Sequence, residues 1–182
     1  MTAQTFFAIA DMLEQRLCRF ANRGCQRSMI RGFFRAVSRL GDGLFWYTLI
    51  ALMPFIIGLN RFQDGLVASA HMLCTGAVGF AVYKLLKKKL VRERPFISCD
   101  AIKCAMPPLD RYSFPSGHTL HAVLFTSLAI AYVPELTIFL IIFATLVAAS
   151  RVVLGLHYPS DVLVGAILGW LVARMSWVVI EL

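Results

Sequence analysis

Five runs of apolar residues divide the chain into stretches that are nearly free of charge. They cover residues 44–59, 66–86, 119–133, 136–149 and 162–180. A helix needs about 20 apolar residues to cross the hydrocarbon core of a bilayer, with a range of roughly 17–25. The second and fifth runs reach that length alone, whereas the first is short and contains Pro54, and the third and fourth need flanking residues. The pattern predicts five membrane-spanning helices.

Composition supports a membrane protein over a soluble one. Of the 182 residues, 59% are hydrophobic, above the roughly 45–50% of soluble domains, and the mean hydropathy is +0.72. Five buried helices in a soluble protein of this size would leave too little polar surface. The length suggests one domain, and no repeat or Gly/Ser linker divides it. The predicted fold class is an all-α integral membrane bundle.

The N-terminal region has a different pattern, in which arginines recur every three or four positions. Apolar and aromatic residues are interleaved with them at helical spacing, which predicts amphipathic helices with one basic face. Gly24 is expected to separate two such helices, and Gly41-Asp42-Gly43 to end the second. Such helices lie on anionic membrane surfaces. A nucleic-acid-binding arm is the alternative, but the aromatic stripe and the neighbouring spans favour lipid.

This contrast divides the chain into two regions. We assign residues 1–43 to basic interfacial helices that contact anionic headgroups, and residues 44–182 to the transmembrane core. A sixth span, if one exists, lies within residues 5–40.

The longest polar stretch after the N-terminal region, residues 87–115, opens with a basic cluster. Its cations surround Glu93 and are Lys87, Lys88, Lys89, Arg92 and Arg94. Such a cluster beside a span commonly anchors anionic headgroups. Pro95, however, restricts the backbone of Arg94, so we expect its guanidinium to hold a defined position.

The sequence SFPSGHTL, residues 113–120, joins this polar stretch to the third apolar run. Ser116 is a good N-cap residue, and Gly117 allows close approach of a ligand to the backbone. The N-terminus of the helix that begins near His118 is suited to bind phosphate, and His118 is placed to donate a proton. The alternative is an ordinary turn followed by an interfacial histidine.

The sequence SRVVLGLHYPSD, residues 150–161, adds a third group of candidates. Arg151 lies near the end of an apolar run, where placing a charge in the membrane costs free energy unless the charge is paired. It is therefore a functional candidate. His157 and Asp161 follow it. A carboxylate on one ring nitrogen fixes the tautomer of a histidine and leaves the other nitrogen free as nucleophile or base.

Chain direction predicts that these three stretches meet. If runs two to five all span the membrane, the loop after run two and the loop after run four lie on the same face. Three cations, a helix N-terminus and two histidines then share that face. This set suits phosphoryl transfer, in which most of the catalytic work is stabilising negative charge on the phosphoryl oxygens.

The three stretches together resemble the signature motifs of the type 2 phosphatidic acid phosphatase superfamily. Residues 87–95 read K-x6-R-P, residues 115–118 read P-S-G-H, and residues 150–161 read S-R-x5-H-x3-D. The resemblance covers residues 87–161 strictly and the flanking spans loosely. The soluble haloperoxidases of the superfamily do not fit five apolar runs. Membrane members usually have six core helices, whereas this sequence has five clear runs.

The resemblance implies a role for each matched residue. His157 corresponds to the nucleophile that takes the phosphoryl group, Asp161 to its orienting partner, and His118 to the general acid. The phosphate-binding residues that the family implies are Lys87, Arg94, Ser116, Gly117 and Arg151. Neither a metal nor another cofactor is implied, and the sequence has no Asp, Glu and His cluster at metal-ligand spacing.

Two arguments about sidedness disagree. Of the 18 Lys and Arg, 16 fall on the predicted active-site face, namely 7 in residues 1–43, 8 in residues 84–111, and Arg151. The positive-inside rule makes that face cytoplasmic. Bacterial relatives in this family commonly face the periplasm, and we expect an inner-membrane protein with that orientation. Cys99 and Cys104 lie five residues apart in one loop, and the sequence leaves open whether they form a disulfide or remain free thiols.

The expected substrate is a lipid phosphate, because the site lies at helix ends in the headgroup region. Phosphatidic acid, phosphatidylglycerophosphate, a polyprenyl pyrophosphate and lipid A all fit. A phosphotransferase that discharges the phosphohistidine to a second lipid is the alternative within the same chemistry. A non-catalytic lipid-binding protein would need the cations but neither the histidine pair nor Asp161.

Overall fold

The computed structural model describes residues 3–180, with side chains described for residues 11–179. Residues 1–2 and 181–182, which belong to the two regions assigned above, lie outside that range. The described chain forms helices joined by turns, which confirms the all-α fold class. The helices are α1 (Ala3–Arg23), α2 (Ser28–Arg39), α3 (Phe45–Ile57), α4 (Phe62–Lys89), α5 (Pro95–Ser98), α6 (Gly117–Tyr132), α7 (Thr137–Val153) and α8 (Pro159–Ile180).

The number of long apolar helices differs from the prediction. Within the described range, four stretches are long and apolar enough to cross a membrane: Ser28–Ile57, Leu59–Lys89, Pro134–Val153 and Pro159–Val179. The expected count of five is therefore wrong by this measure, because α6 has only 16 residues, about 24 Å of helix at 1.5 Å per residue. Helix α6 packs between α4, α7 and α8, so its neighbours shield it from lipid and it needs less apolar length of its own.

The first of these stretches joins α2 to α3 and extends further toward the N-terminus than the first apolar run. The two helices are connected by a wide turn at Leu40–Leu44, where Gly43 has φ of 131°. A side chain is strained at that φ, which is why glycine is suited to the turn. The short 3-10 turn Gly24–Gln26 separates α1 from α2, as the sequence predicts.

Helices α6 and α8 pack closely because α8 carries two glycines on the contact face. A Cβ at Gly165 would lie 2.6 Å from the carbonyl oxygen of Ser116, and one at Gly169 would lie 2.2 Å from that of Leu120. The two glycines are four residues apart, the spacing that lets membrane helices approach backbone to backbone. This contact fixes the start of α6 against the start of α8.

The two N-terminal helices pack against the bundle through α7. The Asn22 side chain donates to the carbonyl oxygens of Lys103 and Val153, at 3.0 Å each, and accepts from the Lys103 amide at 2.8 Å. Large apolar side chains of α1 remain exposed on its other side, among them Leu13, Leu17 and Phe20. The interfacial position of residues 1–43 stays a prediction.

Cys99 and Cys104, whose pairing the sequence leaves open, are free thiols. The Cys104 thiol donates to the Met106 carbonyl oxygen at 3.2 Å.

Candidate active site

One cavity collects residues from the ends of four helices and from the turns and loops beside them. It has a volume of about 280 Å³ and lies where α3 and α6 begin and where α4 and α7 end. Six of the eight sequence-predicted site residues line it: Lys87, Arg94, Gly117, His118, Arg151 and His157. The other two, Ser116 and Asp161, are fully buried directly behind its wall.

His157 lies in the turn that links α7 to α8. Gly155 makes this turn with φ of 76°, and the amides of Leu156 and His157 both donate to the Arg151 carbonyl oxygen. The imidazole is 2% exposed. Its Nε2 accepts from Nη1 of Arg94 at 3.4 Å, and its Nδ1 lies 3.6 Å from Oδ2 of Asp161. One ring nitrogen therefore faces a phosphate-binding candidate, and the other faces a carboxylate.

The surroundings of His157 favour its neutral form. Burial lowers its pKa well below the ordinary value, and the positive charges of Arg151, Arg94 and Lys87 lower it further. A neutral imidazole keeps the lone pair that a nucleophile needs.

The two guanidinium groups are held by backbone and hydroxyl acceptors. Arg94 donates from Nε to the Asp110 carbonyl oxygen at 3.0 Å and from Nη1 to the Leu156 carbonyl oxygen at 2.7 Å. Nη1 of Arg151 donates to the hydroxyl of Ser38, on α2. Nε of Arg151 is buried and has no hydrogen-bond partner among the described residues. An unpaired buried N–H beside a cavity suits an anionic ligand.

Lys87 is another cation at the cavity, and Asp110 holds it. The ammonium donates to Oδ2 of Asp110 at 2.9 Å and to the hydroxyl of Tyr83 at 3.1 Å. Partial burial alone would raise the pKa of Asp110, but the hydrogen bonds from Tyr83 and Lys87 outweigh it and hold the pKa at about 2. Asp110 therefore remains a carboxylate, and Lys87 is fixed at the cavity edge.

The start of α6 has the geometry of a capped helix N-terminus. Ser116 is the N-cap, and its Oγ accepts from the Thr119 amide at 3.5 Å. The Ser116 amide donates to the Asp161 carbonyl oxygen at 3.1 Å, which ties the second motif to the third. A Cβ at Gly117 would lie 2.8 Å from the Tyr83 ring, so a larger residue would push the start of the helix away from α4.

Asp42 is a cavity residue that the sequence analysis treated only as part of a turn. Its Oδ1 contacts Nε2 of His118, and both side chains are mostly buried. The wide turn between α2 and α3 places the carboxylate there. Sequence spacing gives little sign of this contact, because 76 residues separate the two positions and neither motif includes Asp42.

Aromatic side chains form one part of the cavity wall. Trp46 and Tyr47 come from α3, and Phe80 and Tyr83 from α4. Tyr47 and Phe80 are more than half exposed, so the wall is open on the outer side of these two helices.

No three His, Cys, Asp or Glu side chains in the described part of the chain lie close enough to hold a metal ion.

Comparison with known proteins identifies the family. The family model of the PAP2 (type 2 phosphatidic acid phosphatase) superfamily matches residues 66–181. The chain therefore belongs to that superfamily, and the resemblance seen in the motifs is confirmed. It is an integral membrane phosphatase.

Curated relatives match most of this chain. Over 135 residues it is 31% identical to decaprenylphosphoryl-5-phosphoribose phosphatase of Mycobacterium tuberculosis, covering 74% of this chain and 72% of that protein. It is 40% identical over 130 residues to phosphatidylglycerophosphatase B of Escherichia coli, covering 68% of this chain but only 49% of that protein.

A solved structure has the same fold. The crystal structure of LpxE from Aquifex aeolicus superposes with a TM-score of 0.75 at 25% sequence identity. The superposition covers 91% of this chain and 94% of that chain, so the two proteins share one overall fold.

Proposed function

We propose that this protein is a lipid phosphatase that hydrolyses a phosphomonoester or diphosphate of a lipid through a phosphohistidine at His157. The observation that carries this proposal is the convergence of a neutral histidine, two guanidinium groups, an ammonium group and a helix N-terminus on one cavity. Phosphoryl transfer requires a positioned nucleophile and stabilised negative charge, and this set supplies both.

In the first step, Nε2 of His157 bonds to phosphorus while the bond to the leaving oxygen breaks. Asp161 lies behind His157, 3.6 Å from Nδ1, and keeps the Nδ1–H tautomer; catalytic hydrogen bonds are often long until substrate binds. His118 gives its proton to the leaving lipid alkoxide. In the second step, His118 takes a proton from a water molecule, which attacks the phosphohistidine and releases inorganic phosphate.

The phosphoryl oxygens are proposed to bind the cations Lys87, Arg94 and Arg151 and the free N–H groups at the start of α6, with Gly117 and the Ser116 cap shaping that terminus. Asp42 is proposed to stabilise the imidazolium form of His118, because opposite charge at contact distance favours the charged ring. Asp110 is proposed to hold the Lys87 ammonium at the cavity edge.

A lipid substrate is supported by the aromatic, outward-open wall at Tyr47 and Phe80 and by the curated relatives, whose names specify lipid phosphates. Phosphatidic acid, phosphatidylglycerophosphate, polyprenyl pyrophosphate and lipid A define the range to test. We further propose that the protein resides in a bacterial inner membrane with the cavity toward the periplasm, and that the basic N-terminal helices contact anionic headgroups, not nucleic acid.

The test is an assay of the purified protein in detergent against that panel, with inorganic phosphate as the readout, in the presence of excess chelator. We expect release from at least one lipid, survival of activity in chelator, and loss of activity in His157→Ala. Phosphate found on a second lipid instead of in solution would reassign the protein as a phosphotransferase. Release that stops with chelator and returns with magnesium would contradict the proposed metal-free chemistry.

A further inference from the structure

Arg92 is buried between the N-terminal helix and the start of α8, where it binds three carboxylates. Its side chain is 1% exposed. Nε donates to Oδ1 of Asp11 at 2.8 Å, Nη2 donates to Oε2 of Glu14 at 2.8 Å, and Nη1 donates to Oδ1 of Asp161 at 2.5 Å. The guanidinium also lies 4.1 Å from the centre of the Tyr158 ring. Arg92 thus joins α1 to the carboxylate behind His157.

Both oxygens of Asp161 are held. Oδ1 accepts from Arg92, and Oδ2 accepts from the Tyr158 amide at 2.9 Å. Two acceptor bonds on different oxygens fix the plane of a carboxylate, and Oδ2 is the oxygen nearest Nδ1 of His157. Loss of the Arg92 contact would remove the charged partner of Oδ1 and hold the plane of the carboxylate less firmly.

Glu14 makes a second connection to the same place. Its Oε1 accepts from the Ser160 amide and its Oε2 from the Ser160 hydroxyl, at 2.8 Å each. Ser160 also accepts from Nη1 of Arg92 at 2.7 Å. Glu14 of α1 therefore holds the first turn of α8 by two bonds to Ser160, one from its backbone amide and one from its side chain.

The sequence of α1 supports a specific role for these acids. Asp11 and Glu14 are the only acidic residues before Asp42 in a region that otherwise carries seven arginines, and both bind Arg92. A helix that served only as a lipid anchor would have no need of inward-facing carboxylates. The exposed apolar side chains of α1 lie on its other side, where the predicted lipid contact would be made.

We propose that Asp11, Glu14 and Arg92 position the nucleophile, so that α1 is part of the catalytic unit. The three residues touch neither substrate nor phosphoryl group; they fix Asp161, which in turn fixes the His157 ring. This proposal rests on the proposed phosphohistidine function. Misplacement of a reacting group by about 1 Å lowers rates by up to about 100-fold, which sets the size of the expected effect.

The kinetic test uses Glu14→Gln and Arg92→Lys in the full-length protein, with Asp64→Asn as the matched control. Asp64 forms an exposed pair with Arg61 at the far end of α4. We expect kcat to fall by about 10- to 100-fold in the two test variants, with KM changed by less than about threefold. The control should match the wild type. A wild-type kcat in Glu14→Gln and in Arg92→Lys would overturn the proposal.

A second measurement follows the backbone and does not depend on activity. The Tyr158 amide donates to Oδ2 of Asp161, so its hydrogen-exchange rate shows how firmly this oxygen is held. Glu14 has no hydrogen bond to Asp161 or Tyr158, so any change in Glu14→Gln must act through Arg92 or Ser160. We expect faster exchange of this amide in Glu14→Gln, and unchanged exchange of the Ser116 amide, which donates to the Asp161 backbone carbonyl. Unchanged Tyr158 exchange would contradict the positioning role.

The two measurements also separate failure of the positioning role from failure of the proposed function. If the wild type and His157→Ala have equal activity, the proposed function fails, and Tyr158 exchange then reports only whether Glu14 holds Asp161 in place. If His157→Ala is inactive while both test variants keep full kcat, the function stands and the positioning role fails.

Discussion

Nε2 of His118 lies in contact with Oδ1 of Asp42, a residue of the turn between α2 and α3. His118, the last residue of the P-S-G-H motif, therefore has a carboxylate partner that belongs to none of the three motifs. If His118 is the leaving-group acid, the negative charge of this carboxylate favours the protonated form of the ring. Two predictions follow from the pair.

The first concerns His118 itself. His118→Ala is expected to lower turnover of a lipid phosphomonoester by about 10²- to 10⁴-fold, the usual contribution of an acid or base. The loss of phosphoenzyme formation from an activated aryl phosphate should be far smaller, because its leaving group needs no proton. The rate of leaving-group release in the first turnover, before hydrolysis of the phosphoenzyme limits the rate, measures the difference between the two substrates. Equal losses on both would assign His118 to phosphate binding or structure.

The second concerns Asp42. Asp42→Asn keeps the shape of the side chain and removes its charge. Like His118→Ala, it should slow the lipid ester more than the aryl phosphate, but by a smaller factor. We expect first-turnover release of the leaving group to fall by about 10-fold or more on the lipid ester and to change by less than about threefold on aryl phosphate. Glu135→Gln, an exposed change at the opposite end of α7, is the control. A uniform loss on both substrates in Asp42→Asn would contradict the pairing.

Arg151 provides a third prediction, through a transition-state analogue. Vanadate adopts the trigonal-bipyramidal shape of the transferring phosphoryl group, and such analogues bind about 10²-fold or more tightly than substrate. Arg151→Lys should weaken both turnover and vanadate inhibition by about 10-fold or more, because an ammonium lacks the planar two-point contact of a guanidinium. Arg174→Lys, on the exposed surface of α8, should match the wild type. Unchanged vanadate inhibition in Arg151→Lys would remove Arg151 from the phosphate site.

The fourth prediction concerns pH. Burial and the charges of Arg151, Arg94 and Lys87 hold the pKa of His157 well below its ordinary value, which is about 6.5. A lowered pKa means that the neutral nucleophile persists as pH falls through 6.5, so protonation of His157 should reduce kcat/KM only at lower pH. Lys87→Gln removes one positive charge and should move this acid limb to higher pH.

The pH profile of kcat/KM for one aryl phosphate is recorded for the wild type and for Lys87→Gln. Because the substrate titrates identically in both experiments, a difference between the two profiles comes from the protein. A wild-type limb centred near pH 6.5 that stays in place in Lys87→Gln would show that His157 has an ordinary pKa.

The sequence predicted the membrane bundle and the meeting of the three motifs, because both depend on strong local signals. Long apolar runs indicate spans, and the alternating direction of successive spans brings Lys87, His118 and His157 to one face. The Gly24 break was also predictable, since glycine between two amphipathic patterns commonly ends a helix.

Other features depend on tertiary contacts that no local pattern reports. Helix α6 is shorter than a lone span because its neighbours bury it. Asp42 reaches the cavity through a turn and Asp110 through a loop. Arg92 is held against Asp161 by the N-terminal helix that docks beside it. In the sequence these residues look like a turn residue, a loop residue and one more member of a basic cluster.

The central claim is a covalent phosphoryl group on His157, and direct detection tests it. The wild type and His118→Ala are mixed with an aryl phosphate labelled with 32P, quenched within milliseconds to seconds, and analysed by peptide mapping. We expect an acid-labile, base-stable label on His157, with more of it in His118→Ala, because this variant forms the phosphoenzyme without an acid but lacks the base that activates water. Rapid release of inorganic phosphate with no label on His157 in either protein would contradict the account.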